Sequence, residues 1–276
     1  MAKAYGLVGL ATIIFAEIAL YFRIQPFTSF FCPLVWLGYI LLVDNLIYVL
    51  KRNSLMTRHP KKIIALFMIS IIFWLVFELY NLFIPGWEYF NIQEVERVAG
   101  IIAFATILPA VFETAELLRS IHLFDKLKGP KVRGLINKNL LRLSIVVGAL
   151  FIVLPFFFYS YWWAWAMVWT GFFLFLDPIN YLNGQPSIFG DLKNRKWKIF
   201  LSLVLASFVC GFLWEFWNWG AVARWKYNLP GVPFENIKIF EMPVLGYLGY
   251  PPFALELYAM YHFIRFLFSE TKGRKS

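Results

Sequence analysis

The chain has 276 residues, of which 61% are hydrophobic, 21% aromatic and only 15% charged, with a mean hydropathy of +0.65. A charged share so far below the roughly 25% of soluble domains excludes an ordinary soluble fold and points to helices that span a bilayer. The net charge of +10 has a topological explanation in the loops between those helices and implies no nucleic-acid partner.

Eight apolar runs follow one another along the chain, at residues 5–22, 27–49, 62–84, 98–120, 140–160, 163–182, 198–223 and 246–268. Each is about as long as a membrane-crossing helix, so the predicted fold is an all-α, polytopic transmembrane helical bundle. The basic residues agree with an even count of spans. With the N-terminus placed inside, 21 of the 26 Lys and Arg lie in inner segments, and only Arg23, Arg97, Arg224, Lys226 and Lys238 lie outside. Both termini are therefore expected in the cytoplasm of a cell whose plasma (inner) membrane holds the chain, with membrane lipids as its surroundings. Cys32 and Cys210 sit inside spans at no metal-ligand spacing, so no metal site is expected.

Taken in order, the spans of the second half repeat those of the first. Trp36, Gly38, Asp44 and Tyr48 in the second run match Trp169, Gly171, Asp177 and Tyr181 in the sixth. The third run carries Glu78-Leu-Tyr-Asn81 and is followed by Trp87-Glu-Tyr89; the seventh carries Glu215-Phe-Trp-Asn218 and is followed by Trp225-Lys-Tyr227. Pro109 and Glu113 in the fourth match Pro252 and Glu256 in the eighth. The predicted organisation is a tandem parallel repeat of four plus four spans, residues 1–125 and 140–276, joined by a basic cytoplasmic linker at 126–139.

Eight of the sixteen Asp and Glu fall within these spans: Glu17, Asp44, Glu78, Glu113, Glu116, Asp177, Glu215 and Glu256. Six of them are the duplicated ones, and no Lys or Arg lies deep enough to pair with them. A lone carboxyl at that depth is held neutral by a hydrogen bond or faces a cavity, and both arrangements suit proton chemistry. Glu78 with Asn81 and Glu215 with Asn218 share a helix face at i and i+3, where the amide is placed to orient the acid. A neutral hydrogen-bonded contact between helices accounts for the same spacing. Asp44 with Tyr48, and Asp177 with Tyr181, are i and i+4 pairs near helix ends, where a tyrosine-to-carboxyl bond of structural character is the competing reading. Pro109 and Pro252 precede their glutamates by one turn and open the helix there, either as packing kinks or to expose carbonyls to a site. The stretch from Gly246 to Pro252 is poor in helix formers and has the look of a site entrance.

Aromatic residues flank the acids: Trp74, Phe77, Trp214, Phe216, Trp217 and Trp219. Some belong to interfacial belts. Beside an acid, their π faces also stabilise a carbocation made when that acid protonates an alkene, which favours isoprenoid chemistry.

The series acid, Trp-x-Tyr, then Pro and Glu resembles the lycopene cyclase domain of the non-flavin, membrane-embedded carotenoid cyclases. In that family an acid stands some nine residues before Trp-x-Tyr and a Pro-x-Glu-Glu motif follows. Here the first interval is nine residues from Glu78 to Trp87 and ten from Glu215 to Trp225, while Glu113 and Glu256 are single glutamates four residues after proline. The resemblance implies a redox-neutral, lycopene cyclase-like isomerase that protonates and cyclises a hydrophobic isoprenoid or carotenoid without a cofactor, or a hydratase in which water captures the same cation. The expected site has Glu78, Glu113, Glu215 and Glu256 lining one cavity between the halves, with Glu215 or Glu256 as donor. Asn81, Asn218, Trp214, Trp217, Trp87, Tyr89, Trp225 and Tyr227 would bind the substrate. A proton- or cation-coupled transporter and a non-catalytic membrane assembly factor are the rival readings of buried acids in tandem repeats.

Overall fold

Runs that are apolar on every side form helices because no backbone N–H or C=O can go unpaired away from water, and each helix satisfies its own. The computed structural model describes residues 4–127, 129–158 and 161–273, and the side chains to 268; the basic residues Lys3, Lys128, Arg274 and Lys275, counted above on the inner side, lie outside them. Ten α-helices are present among the described residues. Eight are long: α1 (Tyr5–Tyr21), α2 (Phe31–Lys51), α4 (Pro60–Phe83), α5 (Glu94–Ser120), α6 (Lys138–Val153), α7 (Trp163–Leu182), α9 (Lys198–Gly220) and α10 (Tyr250–Gly273). The two short ones, α3 (Leu55–Arg58) and α8 (Ile188–Lys193), lie in loops.

Five segments are long and apolar enough to cross a membrane: α2, α4, α5, α9, and α6 extended to Phe157 by a 3₁₀ turn. Helix α1 is apolar but has 17 residues. Helix α7 carries three Trp, Asp177 and Asn180, and α10 carries Glu256, His262 and Arg265, which is why these two do not reach the same apolarity. The outer face of α4 presents Ile64, Met68, Ile72, Leu75 and Leu79, all more than half exposed. An aliphatic stripe of that length suits hydrocarbon, not water.

Helix starts follow local chemistry. Ser54 and Asn137 cap α3 and α6 with their side-chain oxygens, Gln93 and Glu96 form a capping box at α5, and Pro60 opens α4 at a position where the missing N–H costs nothing. Helix α1 packs on α2, α2 on α5 and α5 on α4; α6 packs on α7, α7 on α10 and α10 on α9; α5 against α9 joins the two sets. The first contact of each set is backbone to backbone. A Cβ on Gly9 would stand 2.5 Å from the Gly38 carbonyl oxygen, and one on Gly148 would stand 2.4 Å from the Phe175 nitrogen.

Above the helices, β1 (Trp87–Phe90) and β2 (Arg224–Tyr227) form an antiparallel ribbon, with Trp87 opposite Tyr227 and Tyr89 opposite Trp225. Below it an aromatic core fills the centre. Phe77, Trp169 and Phe253 meet pairwise at ring distances of 4.9, 5.2 and 5.6 Å.

Candidate functional site

Each Trp-x-Tyr strand is fastened to the helix before it by an asparagine. Asn81 accepts the Gly86 and Trp87 N–H groups on Oδ1 and donates to the Trp87 carbonyl; Asn218 accepts the Trp225 N–H and donates to the Trp225 carbonyl. Both amides are thus spent on backbone, and neither touches its glutamate as the i, i+3 spacing had led us to expect. A strand end with no ladder partner on that side needs its polar groups met, and the asparagine is the nearest side chain that meets both kinds.

The tyrosine of each motif reaches the acid instead. Trp87 Nε1 donates to Tyr89 Oη (3.2 Å), and Tyr89 donates to Glu78 Oε1 (2.5 Å). In the same order, Trp225 Nε1 donates to Tyr227 Oη (2.8 Å), and Tyr227 donates to Glu215 Oε1 (2.6 Å). A second donor completes each acceptor: Trp74 Nε1 at 2.7 Å on Glu78 Oε1, and the Tyr250 hydroxyl at 2.6 Å on Glu215 Oε1. Glu78 is half-buried, whereas Glu215 is fully buried and its Oε2 has no hydrogen-bond partner among the described residues.

Tyr89, Tyr227 and Tyr250 all line a cavity of about 460 Å³ beneath the β1–β2 ribbon. Eight of the chain's twelve tryptophans line it too, among them Trp36, Trp74, Trp165 and Trp169 together with the expected Trp87, Trp214 and Trp225. Polar side chains other than the tyrosines are few: Thr28, Ser29, Glu96 and Arg224 toward the ribbon end, where Ser29 donates to Glu96 and Arg224 stands 3.8 Å from Glu241, and Thr170 on α7. The remaining wall is apolar, with Ala99, Gly100, Ala103 and Ile107 contributed by one stripe of α5.

Of the four glutamates expected along one cavity, none lines it. Glu78 and Glu215 stand behind their tyrosines. Glu113 and Glu256 are buried elsewhere: Glu113 has one oxygen without a partner, and both oxygens of Glu256 lack one among the described residues. Glu256 follows the cavity-lining Phe253 by one turn of α10 and is itself not in the lining. Trp217 is also outside the cavity. Its Nε1 donates to Glu17 (3.0 Å) and its ring packs on Trp36 at 4.9 Å.

Asp44 and Asp177 serve helix starts, and the Tyr181 hydroxyl turns to Lys193. Asp44 accepts from Tyr5 (2.6 Å), from Ser54 (2.6 Å) and from the Met56 N–H at the head of α3. Asp177 accepts from Ser187 and from the Ile188 and Phe189 N–H groups at the head of α8, each at 2.8 Å. An anion at a helix N-terminus meets unpaired N–H groups and the positive end of the dipole, which no phenol can match. Tyr181 accepts from Lys193 (2.9 Å), and Glu116 is paired with Lys51 and Arg119 at the end of α5. Tyr48 lies on α2, one turn beyond Asp44.

Sequence reading did not single out Trp36, Trp165, Trp169 or Tyr250 as site residues. The signal for the last was present, since Tyr250 falls within the Gly246–Pro252 stretch. Compared with known proteins, the chain matches no family model, no curated protein and no solved structure.

Proposed function

We propose that the chain is an integral membrane enzyme that binds a hydrophobic isoprenoid in the tryptophan-lined cavity and moves a proton to it, in the manner of the lycopene cyclases it resembles. The observation that carries this reading is the tyrosine-to-glutamate pair set twice into the wall of an otherwise apolar, aromatic cavity. Such a wall is mostly indole and aliphatic, and the phenol hydroxyls are the polar groups in it that lead to a buried carboxyl. Indole faces around an alkene stabilise a developing cation by about 0.5–2 kcal/mol each where water is excluded. Glu215 is the acid of choice because the tyrosines connect it to the cavity, while Glu113 and Glu256 have no such connection.

The reading includes eight spans in two parallel halves, residues 1–125 and 140–276 with the linker 126–139, and both termini in the cytoplasm. The matching packing order of the helices supports it, as do the two Asp-to-Ser pairs and the ribbon. In that ribbon each strand's Trp faces the other's Tyr, as a twofold axis between Glu88 and Lys226 demands. The cavity then opens near the outer leaflet.

Expression in cells that accumulate a linear carotene, followed by chromatography of the pigments, tests the function. Cyclised or hydrated products are expected with the wild type and none with Glu215→Gln, which keeps the shape but carries no transferable proton. An unchanged pigment with well-inserted wild-type protein overturns the reading.

A further inference from the structure

The two copies of the acid differ in how the second hydrogen bond is supplied, and the difference is an exchange between two helices. Glu78 takes it from Trp74, four residues earlier on the same helix. In the second copy the position four residues before Glu215 is Gly211, and the bond comes from Tyr250 on α10. Gly211 is what admits that ring: a Cβ there would stand 2.5 Å from Tyr250 Cδ2. The first half has Ile107 where the second has Tyr250, two residues before the proline of each half. Trp74 and Ile107 have thus become Gly211 and Tyr250 as a matched pair, with the geometry of the acid kept.

The chemistry is not kept. An indole N–H gives a hydrogen bond but no exchangeable acid, whereas a phenol O–H can pass a proton on and regain one. The Tyr227 oxygen takes the Trp225 indole N–H and lies within hydrogen-bond reach of Tyr250, whereas no indole reaches the Tyr250 oxygen among the described hydrogen bonds, and the Tyr250 ring forms part of the cavity wall beside Trp214.

We propose that Tyr250 is the catalytic residue that hands the proton to the ligand, with Glu215 behind it as the proton's store. The proposal rests on the enzymatic reading given above. For the transfer Tyr250 turns its O–H from Glu215 Oε1 to an alkene carbon and a carboxyl hydrogen on Oε1 donates back to the Tyr250 oxygen; the Tyr250 hydrogen then forms the new C–H bond as the carboxyl hydrogen moves to that oxygen. One O–H bond breaks at each residue, one re-forms at Tyr250, and the ligand gains the positive charge that Glu215 loses. The carboxylate left behind accepts the O–H groups of Tyr227 and Tyr250 together. Loss of a proton from a neighbouring carbon returns the hydrogen along the same route, so no oxidant or reductant enters. Glu78 lacks this route and holds its strand in place.

The test uses the full chain in lipid nanodiscs with a linear carotene as probe. Quenching of tryptophan fluorescence reads binding, and deuterium taken into the pigment from D₂O reads proton transfer. Tyr250→Phe keeps the ring in its seat over Gly211; binding within twofold of wild type and deuterium uptake lowered about 100-fold or more are expected, the scale of a lost general acid. The double variant Gly211→Trp with Tyr250→Ile restores the first-half pair and is expected to fold, bind and transfer no proton. Tyr247→Phe, outside the cavity wall, is expected to match wild type. Uptake by Tyr250→Phe within about threefold of wild type overturns the proposal and leaves the enzymatic reading standing. If wild type takes up no deuterium, the enzymatic reading fails and the proposal falls with it.

Discussion

Removing the amide of Asn81 separates the two roles that an Asn one turn after a glutamate can play. Asn81→Ala deletes three hydrogen bonds, to the Gly86 and Trp87 N–H groups and the Trp87 carbonyl, and both residues are buried. At a net contribution of about 1 kcal/mol each, the loss is about 3 kcal/mol; it stays near this value because the freed strand can turn to water and avoid the larger cost of buried unpaired groups. Asn218→Ala deletes two such bonds and is expected to cost about 2 kcal/mol. At about 2–4 °C per kcal/mol for a chain of this size, the midpoints of thermal unfolding in detergent fall by about 6–12 °C and 4–8 °C.

The decisive measurement is local. Amide exchange at Gly86 and Trp87, read by mass spectrometry on the protein in nanodiscs, is expected to accelerate sharply in Asn81→Ala while the amides of α4 stay protected. The Tyr89 hydroxyl is carried on the released strand, so its bond to Glu78 goes with it. If Gly86 and Trp87 exchange as slowly as in wild type, the asparagine is not what holds the strand. The orienting role expected from the i, i+3 spacing would then return.

Two further outcomes concern the loops expected on the cytoplasmic side. Cysteines placed at Asn53 and Lys131, both exposed, are expected to resist a membrane-impermeant thiol reagent in intact cells and to react after permeabilisation; modification in intact cells would invert the topology. At the end of the first half Asp125 is held below its ordinary value by hydrogen bonds from Lys198 and from His122. A depressed carboxyl favours the native contact above the ordinary Asp value of about 3.9 and loses it as pH falls through the lower, folded-state value. In a carboxyl NMR titration the Asp125 midpoint should lie below about 3.9 and rise in Lys198→Ala; an unmoved midpoint would remove Lys198 as the cause.

The positions of the long helices were legible in the sequence, because a run that is apolar on all sides has one way to satisfy its backbone. The expected runs 5–22, 62–84 and 163–182 correspond to Tyr5–Tyr21, Pro60–Phe83 and Trp163–Leu182. The Trp-x-Tyr motifs were legible as well, and their tyrosines do meet Glu78 and Glu215. The partners of Asp44 and Asp177 were not. They depend on α3 and α8, four and six residues long, too short for hydrophobic periodicity to reveal. The role of the asparagines was hidden for a related reason: their partners are backbone groups of a strand whose pairing joins Trp87 to Tyr227, 140 residues on.

Depth in the membrane and direction around a helix are separate coordinates, and a list of acids within spans supplies only the first. Along α5 the cavity-lining residues are Glu96, Ala99, Gly100, Ala103, Phe104 and Ile107, a stripe stepping by three and four. Continued inward, that stripe runs to 110, 111 and 114, and Glu113 lies about 120° around the helix from Ile107 at 100° per residue. On α10 the direction is right and the depth is not. Pro252 and Phe253 line the cavity, and Glu256, one turn further along the helix, does not. Glu113 and Glu256 therefore miss the cavity for different reasons. The tyrosines in its wall are the side chains that connect it to a carboxyl. Equal placement of two acids in sequence therefore does not decide which of them can act; the angle and depth of each on its helix do.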